Sequence, residues 1–376
     1  MKPENKENKM RVYLQYPWKF PDSAYYNSLV KYPPKGVTYL NAGQQGGAIT
    51  SRKKFFLSNS AKNLLRFGVD HFPFPIPNIH CTKTKEQYDL IHCAHSLSSN
   101  HGPWVADFES AWQFWISIRK FGVGQKPILK TLLNDNCKKI MPWTNVIKKD
   151  ILRLFPNKEI EEKIEVVNPA VPLLKKVKKT DKIKIIFISR YFWIKGGLVA
   201  LETFRKIKEK YDAEIVFISN TPENLKTKYK GIKFMDLMPA KEFLHNLGES
   251  DIFFYPSFLD TFGFLPLESM SLGVPIVTVN TGGTTNCREI TEDNKTGFVI
   301  DFPYYKGNDI YKKCYHIGAP ERRLIEQLYN KTSKLIEDSS LRNKMSINCR
   351  KVIKNGKFSI KVRNEKLRRI YSEALR

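Results

Sequence analysis

The 376-residue chain has no apolar run of about 18 residues, the length a helix needs to cross a bilayer. Its opening, "MKPENKENKM", is charged and lacks the apolar centre of a secretory signal. A cytoplasmic protein is expected, soluble or associated with the cytoplasmic face of a membrane. The six cysteines (81, 93, 137, 287, 314 and 349) form no C-x-x-C pair and take no zinc-ligand spacing with histidine, so reduced thiols are expected. No G-x-x-x-x-G-K-[ST] loop is present, which argues against a P-loop NTPase, and no G-x-G-x-x-G follows a strand, which argues against a dinucleotide enzyme. Nor does a D-x-D sit at a strand end, and no metal is expected. Acidic residues are scarce, 37 against 63 Lys and Arg, giving a net charge of +26. The excess is spread over both halves without the single basic stripe of a nucleic-acid footprint, so no specific nucleic acid is expected. Attraction to an anionic membrane or to phosphorylated substrates is physically reasonable.

Hydrophobic residues at 41% and aromatics at 12% suffice for real cores, and the length favours two domains. The C-terminal half alternates strands and helices. "KIKIIFIS" (182–189), "AEIVFIS" (213–219), "DIFFYPS" (251–257), "VPIVTV" (274–279) and "GFVID" (297–301) are apolar, β-rich runs. "LVALETFRKIKEKY" (198–211), "KEFLHNLGES" (241–250) and "PLESMSLG" (266–273) are helical. Such alternation predicts a doubly wound parallel sheet, with ligands outside the carboxyl ends of the strands. In the N-terminal half, "MRVYLQYP" (10–17), "GVTYLN" (36–41), "YDLIHCAHS" (88–96) and "IEVVNPAVP" (164–172) read as strands. "DFESAWQFWISIRKF" (107–121), "ILKTLLNDN" (128–136) and "NVIKKDILRLF" (145–155) read as helices. The expected boundaries are 1–170, a Pro- and Lys-rich linker at 171–181, a second domain at 182–355, and a final helix at 356–376 packing on the N-terminal domain.

One stretch, "YPSFLDTFGFLPLESMSLGVPIV" (255–277), concentrates chemistry. Asp260 follows a strand end. Gly263 permits close backbone approach or positive φ, and Pro266 suits a first helical turn, where Glu268 is expected to lie. Singly, each acid is an ordinary loop or helix-start residue. Together they suit a ligand whose vicinal hydroxyls a carboxylate accepts, with the N–H groups of Gly263, Phe264 and Leu265 turned to an anionic or sugar oxygen. "SRYFWIKGG" supplies cations for a diphosphate, Arg190 and Lys195, before a helix that starts at Gly196 and Gly197. A nucleotide sugar fits both sets.

These residues resemble the retaining glycosyltransferases of the GT-B fold, family 4 (glycosyl transferases group 1), over about 182–301. "DTFGFLPLE" is similar to the family's E-x7-E element, with Asp260 in place of its first Glu. Arg190 and Lys195 match its Arg-x4-Lys pair, Gly282 and Gly283 its Gly-Gly, and "TGFVID" its following strand. The resemblance implies an α/β fold of two Rossmann-like domains facing a cleft, with the C-terminal helix crossing back to the N-terminal one. It implies sugar transfer from a nucleotide-diphosphate donor, UDP- or GDP-linked, to an acceptor hydroxyl with retention, and without an obligatory metal or other cofactor. Glu268 would hold the ribose hydroxyls and Asp260 the donor sugar's, while Arg190 and Lys195 stabilise the leaving diphosphate. The loop "FMDLMP" (234–239) would line the base. The acceptor is expected to be a glycan, a lipid-linked sugar or a small molecule.

In the N-terminal half, His95 resembles the family's strand-end histidine that reaches the donor sugar. The spacing from His92 to His95 is longer than its usual H-x-H. Asp107 and Glu109 are candidates for acceptor hydroxyls, the alternative being acids that complement a helix start. "AGQQGG" (42–47) takes no role. Three rivals remain: a GT-B phosphorylase, a nucleotide-sugar epimerase, and a sugar-nucleotide or glycan-binding protein without catalysis.

Overall fold

The computed structural model describes residues 9–15, 23–42, 68, 70–175, 177, 181–282, 287–305 and 309–376. They gather in two units: residues up to Ala170 together with Ile360–Arg376, and Val171–Ser359.

Strand pairing in the first unit is parallel throughout the main sheet. The strands are β1 (Met10–Gln15), β2 (Val37–Leu40), β3 (Ile79–His80), β4 (Leu90–Ala94), β5 (Leu97–Ser98), β6 (Trp104–Phe108) and β7 (Cys137–Pro142). The main sheet runs β2-β1-β4-β6-β7, with β3 and β5 paired beside it. Every residue of β4 and β6 is buried, as expected of central strands covered on both faces. The final helix, Ile360–Ala374, belongs to this unit. Its Arg363 is buried and donates to Ser28 Oγ at 2.9 Å and to Tyr32 O at 2.7 Å.

Two sequence expectations give way here. The stretch 107–121 is no helix: Asp107 and Phe108 finish β6, and two short 3-10 turns follow, Ala111–Phe114 and Ile118–Lys120. Ser110 and Ser117 interrupt the run, Ser117 Oγ accepting from Arg119 N at 3.2 Å, while the Trp115 indole donates to Val123 O at 2.6 Å. The stretch 164–172 is no strand. It runs beside β7 with one bridge, Ile140 to Ile164, and hydrogen bonds from Glu165 N to Ile140 O at 2.9 Å and Val167 N to Pro142 O at 3.1 Å, and its prolines carry no N–H to continue a ladder.

The second unit is built on β8 (Lys184–Ser189), β9 (Glu214–Ser219), β10 (Lys233–Met235), β11 (Ile252–Tyr255), β12 (Ile276–Asn280) and β13 (Gly297–Asp301). Their order, β10-β9-β8-β11-β12-β13, is the 3-2-1-4-5-6 sequence of a doubly wound sheet. The chain reverses direction of winding between β8 and β11, the switch point at whose carboxyl ends ligands of such sheets bind. Helices Gly197–Lys210 and Ala319–Glu337 cover the sheet through Phe204, Ile207, Leu324 and Leu328, all buried. The expected linker segment packs on this unit: Leu174 N donates to Ser271 Oγ at 2.8 Å, and Arg350 donates to Leu174 O at 2.9 Å.

Candidate active site

The loop leaving β8 carries Arg190 and Lys195 and ends at Gly196, whose φ is +72°. A Cβ there would stand 2.2 Å from the carbonyl oxygen of Pro256, so only glycine lets this loop lie against the one leaving β11. The close approach brings two of the sequence candidates together. Lys195 Nζ donates to Leu259 O at 2.6 Å and lies 3.1 Å from Asp260 Oδ2, above the ring of Tyr255. Tyr255, which the sequence reading passed over, donates its hydroxyl to the same carboxylate. Burial, then the Asp260 charge, push that phenol far above its ordinary range. A narrow pocket lined by Tyr255, Asp260, Phe262, Pro266, Cys287 and Thr291 adjoins the group. Arg190 is half-buried in the same loop, its carbonyl accepting from Asn220 Nδ2 at 3.3 Å.

Gly263 turns the chain into the next helix, Phe264–Leu272, with φ at +86°. Its missing side chain leaves room for Asp260, since a Cβ would meet Asp260 Oδ2 at 2.9 Å. Phe264 and Leu265 are the first two helical residues and Pro266 the third. Glu268 is the fifth, so the expectation that it sits in the first turn is corrected: it stands one turn further in, and no acid occupies the first turn. The Glu268 carboxylate is half-buried, and among the described residues no group hydrogen-bonds or pairs with it. Burial without compensation pushes its pKa up to about 7. Among the described residues no cluster of His, Cys, Asp or Glu could hold a metal ion. Gly282 lies in the loop just after β12, and Gly283 and residues 43–47 of the "AGQQGG" stretch lie outside the described residues. Of the loop 234–239, Phe234 belongs to β10 and packs on Phe217 at 5.6 Å between ring centres.

In the first unit, His92 lies in the middle of β4, His95 directly follows the strand, and β6 presents Asp107. Asp107 is fully buried and engaged on both oxygens. His92 Nε2 donates to its Oδ2 at 2.8 Å, Tyr26 donates to its Oδ1 at 2.7 Å, and His95 Nδ1 lies 3.2 Å from Oδ1. An enclosed carboxylate with both oxygens taken has nothing left for an acceptor hydroxyl, so the assignment of Asp107 to acceptor binding is corrected. It is also no helix-start acid. Burial opposes its ionisation, but hydrogen bonds from His92 and His95 prevail and hold its pKa well below the usual carboxylate range. The network extends to residues the sequence did not mark: His92 Nδ1 meets Tyr371 OH at 2.7 Å, and Tyr371 meets Tyr39 at 3.0 Å. His95 is buried with φ at +51°, uncommon for a residue with a Cβ, its ring against Trp143 and Tyr26. Burial lowers its pKa, and Asp107 and Glu109 more than reverse that, leaving it raised. Glu109 remains partly exposed, 3.9 Å from His95 Nε2.

Residues 174–307 match the family described as Glycosyl transferases group 1. The chain is 30% identical to sulfoquinovosyl transferase SQD2 of Arabidopsis thaliana over 107 residues, which are 27% of this chain and 21% of that one. The chain spans from 21% to 49% of the length of the curated relatives it matches. The fold is similar to that of a glycosyltransferase from Rickettsia africae ESF-5, with TM-score 0.64 and 17% identity over 98% of this chain and 99% of that one. It is also similar to Anabaena Alr3699/HepE, solved in complex with UDP, with TM-score 0.61 and 12% identity over 96% and 99%. The architecture is that of the GT-B glycosyltransferases.

Proposed function

We propose that this chain, whose second unit carries a glycosyl transferases group 1 domain, moves a sugar from a UDP- or GDP-sugar to an acceptor hydroxyl with retention of configuration. The observation that carries the reading is Glu268, a half-buried carboxylate for which no partner is found among the described residues. It stands on the helix that follows the Lys195–Asp260 pair at the switch point of the sheet. A carboxylate held up to about 7 by burial is costly when ionised, and ribose hydroxyls would relieve that cost by donating to it. Asp260 then faces the donor sugar, and the backbone at Gly263, Phe264 and Leu265 faces its phosphate or hydroxyl oxygens. Arg190 and Lys195 stabilise the charge that grows on the diphosphate as it leaves, so the step needs no metal. The bond from the anomeric carbon to the diphosphate oxygen breaks, the bond to the acceptor oxygen forms on the same face, and the acceptor's proton departs with the diphosphate. In the first unit, His95 stays the candidate for a sugar hydroxyl and the partly exposed Glu109 beside it the candidate for an acceptor hydroxyl. The acceptor is a glycan, a lipid-linked sugar or a small molecule bearing a free hydroxyl. The neighbour solved in complex with UDP supports a nucleotide-linked donor.

The test is a panel of UDP- and GDP-sugars, read by thermal stabilisation and by release of nucleoside diphosphate with and without chelator. A sugar nucleotide that stabilises the protein and yields diphosphate in chelator fits the proposal. Turnover that stops in chelator overturns metal independence, and binding with no product in any acceptor mixture turns the reading to a binding protein.

A further inference from the structure

Twelve large apolar side chains are exposed among the described residues, and five of them fall in two short segments of the first unit. Phe72 and Phe74 are 46% and 69% exposed, and Ile118, Phe121 and Val123 are 59%, 45% and 52% exposed. The segments, 70–77 and 115–124, are fastened to each other. Ile116 N donates to Ile76 O at 3.1 Å, Pro77 bridges Trp115, and the Gly124 backbone lies against Pro75. Asp70 is tied to Ser117 Oγ and lies 3.3 Å from Arg119 Nε. Phe72 and Phe74 meet edge to face at 6.3 Å, and Trp115 holds Phe121 at 5.6 Å. The exposed side chains are therefore carried on a braced surface. A soluble protein rarely leaves aromatic and aliphatic groups together in water without a use for them.

The charges around the patch narrow the partner. Arg119, Lys120 and Lys126 lie on or beside the second segment, and His71 is exposed next to Phe72. The only acid in the two segments, Asp70, is already offset by Arg119. The whole chain adds a net charge of +26, which concentrates it near any negatively charged surface. Apolar side chains with cations beside them complement a bilayer with anionic headgroups, where the cations meet phosphate and the rings enter the acyl boundary.

We propose that Phe72, Phe74, Ile118, Phe121 and Val123, flanked by Lys120 and Lys126, dock this chain on the surface of an anionic bilayer. The surface does not depend on the transfer reading, yet it bears on it. Asn78, buried directly after the first segment, donates to His95 O at 2.6 Å and to Gln113 O at 2.8 Å, so the patch and the His95 site share one anchor. If both proposals hold, the acceptor is a sugar lipid of the bound membrane.

The test is co-sedimentation with vesicles of phosphatidylcholine mixed with phosphatidylglycerol, and with phosphatidylcholine alone. Wild type is expected to partition to the anionic vesicles, and the pair Phe74→Ser with Ile118→Ser to lose about tenfold or more of that partition, with nucleotide-sugar binding unchanged. The Phe74→Trp variant gives a readout that needs no loss: brominated acyl chains should quench its added indole. Failure of wild type to bind anionic vesicles overturns the proposal. So does equal binding by the double variant, which would reduce the effect to surface charge alone, or an added indole that bromine does not quench. A dimer in solution that the double variant converts to monomer also overturns it, in favour of a second copy of the chain. None of these outcomes touches the donor-site reading, which nucleotide binding tests separately.

Discussion

Replacing Glu268 by Gln keeps the shape of the side chain and removes its charge, and two opposite consequences follow. In the free protein, burial carries this carboxyl from an ordinary 4.5 to about 7. A group whose folded pKa is raised contributes stability that is fully present below its unfolded value and is lost as pH rises through the folded one. Carried over that interval at about 1.4 kcal/mol per tenfold, the ionised carboxylate costs the fold about 3 kcal/mol. Partial exposure to water reduces this to about 1–2 kcal/mol. Glu268→Gln is therefore expected to match wild type near pH 4 and to exceed its stability by about 1–2 kcal/mol at pH 8. Urea denaturation at both pH values measures the difference.

Donor binding should respond in the reverse sense. If ribose hydroxyls donate to Glu268, binding requires the ionised form, so wild-type affinity rises about tenfold from pH 6 to pH 8. Binding at pH 6.5 should release a proton, visible as a buffer-dependent heat in calorimetry. In Glu268→Gln the affinity falls about 10- to 100-fold at pH 8, the loss of hydrogen bonds to a charged acceptor, and this component of its pH dependence vanishes. A variant that binds donor as tightly as wild type refutes the ribose assignment. A stability difference that stays constant between pH 4 and pH 8 refutes the burial argument beneath it.

Three further substitutions test the rest of the two sites. Lys195→Met should weaken a nucleoside diphosphate about 10- to 100-fold while leaving the bare nucleoside unaffected, as calorimetric titration of both ligands would record. Gly263→Ala forces a Cβ into a positive-φ position and to within 2.9 Å of Asp260 Oδ2, so turnover should fall about tenfold or more, as steady-state rates would record. Asp107→Asn should cost about 3 kcal/mol at neutral pH, since it leaves His92 and His95 without their buried counter-charge. Because Asp107 is depressed in the folded state, that deficit should shrink as pH falls through the ordinary carboxylate range, and the raised pKa of His95 should drop in the variant, followed by its ring proton resonances.

The second unit was legible because its strands are covered on both faces. "KIIFIS" and "EIVFIS" are continuous apolar runs that no amphipathic helix would carry, and the loops between them hold the glycines and prolines that end helices. Gly263, Pro266 and Glu268 were readable as a turn into a helix, though the start of that helix two residues before the proline moved Glu268 out of the first turn. The first unit resisted for a different reason. Around Trp112 and Trp115 the polar residues Ser110, Gln113 and Ser117 recur at helical spacing although no helix forms, and Trp115 finds its place through Val123 and Pro77. One partner of His92, Tyr371, lies 279 residues away, a contact no local pattern announces. Helices Ala319–Glu337 and Ser339–Asn355 went unread although their buried residues recur at helical spacing.

Two of the marked acids, Asp107 and Glu268, separate what a buried carboxylate does from what it is for. Asp107 lies deeper and is held well below the usual range, because two histidines and Tyr26 donate to it and its environment was built around the charge. Glu268 is less enclosed yet pushed up to about 7, because among the described residues nothing donates to it. Burial alone would raise both, so the difference between them is supplied entirely by partners. A carboxylate already satisfied organises its neighbours, as Asp107 draws the rings of His92 and His95 to its two oxygens. A carboxylate left unsatisfied makes the empty protein less stable and gives the ligand that satisfies it a correspondingly larger gain on binding. Asp260 lies between the two cases: Tyr255 and Lys195 hold it, but Lys195 is also a cation that a diphosphate would attract. Donor binding on this account exchanges one ion pair for another at Lys195 and turns Asp260 toward the sugar, so the first carboxylate is freed by the same ligand that the second receives.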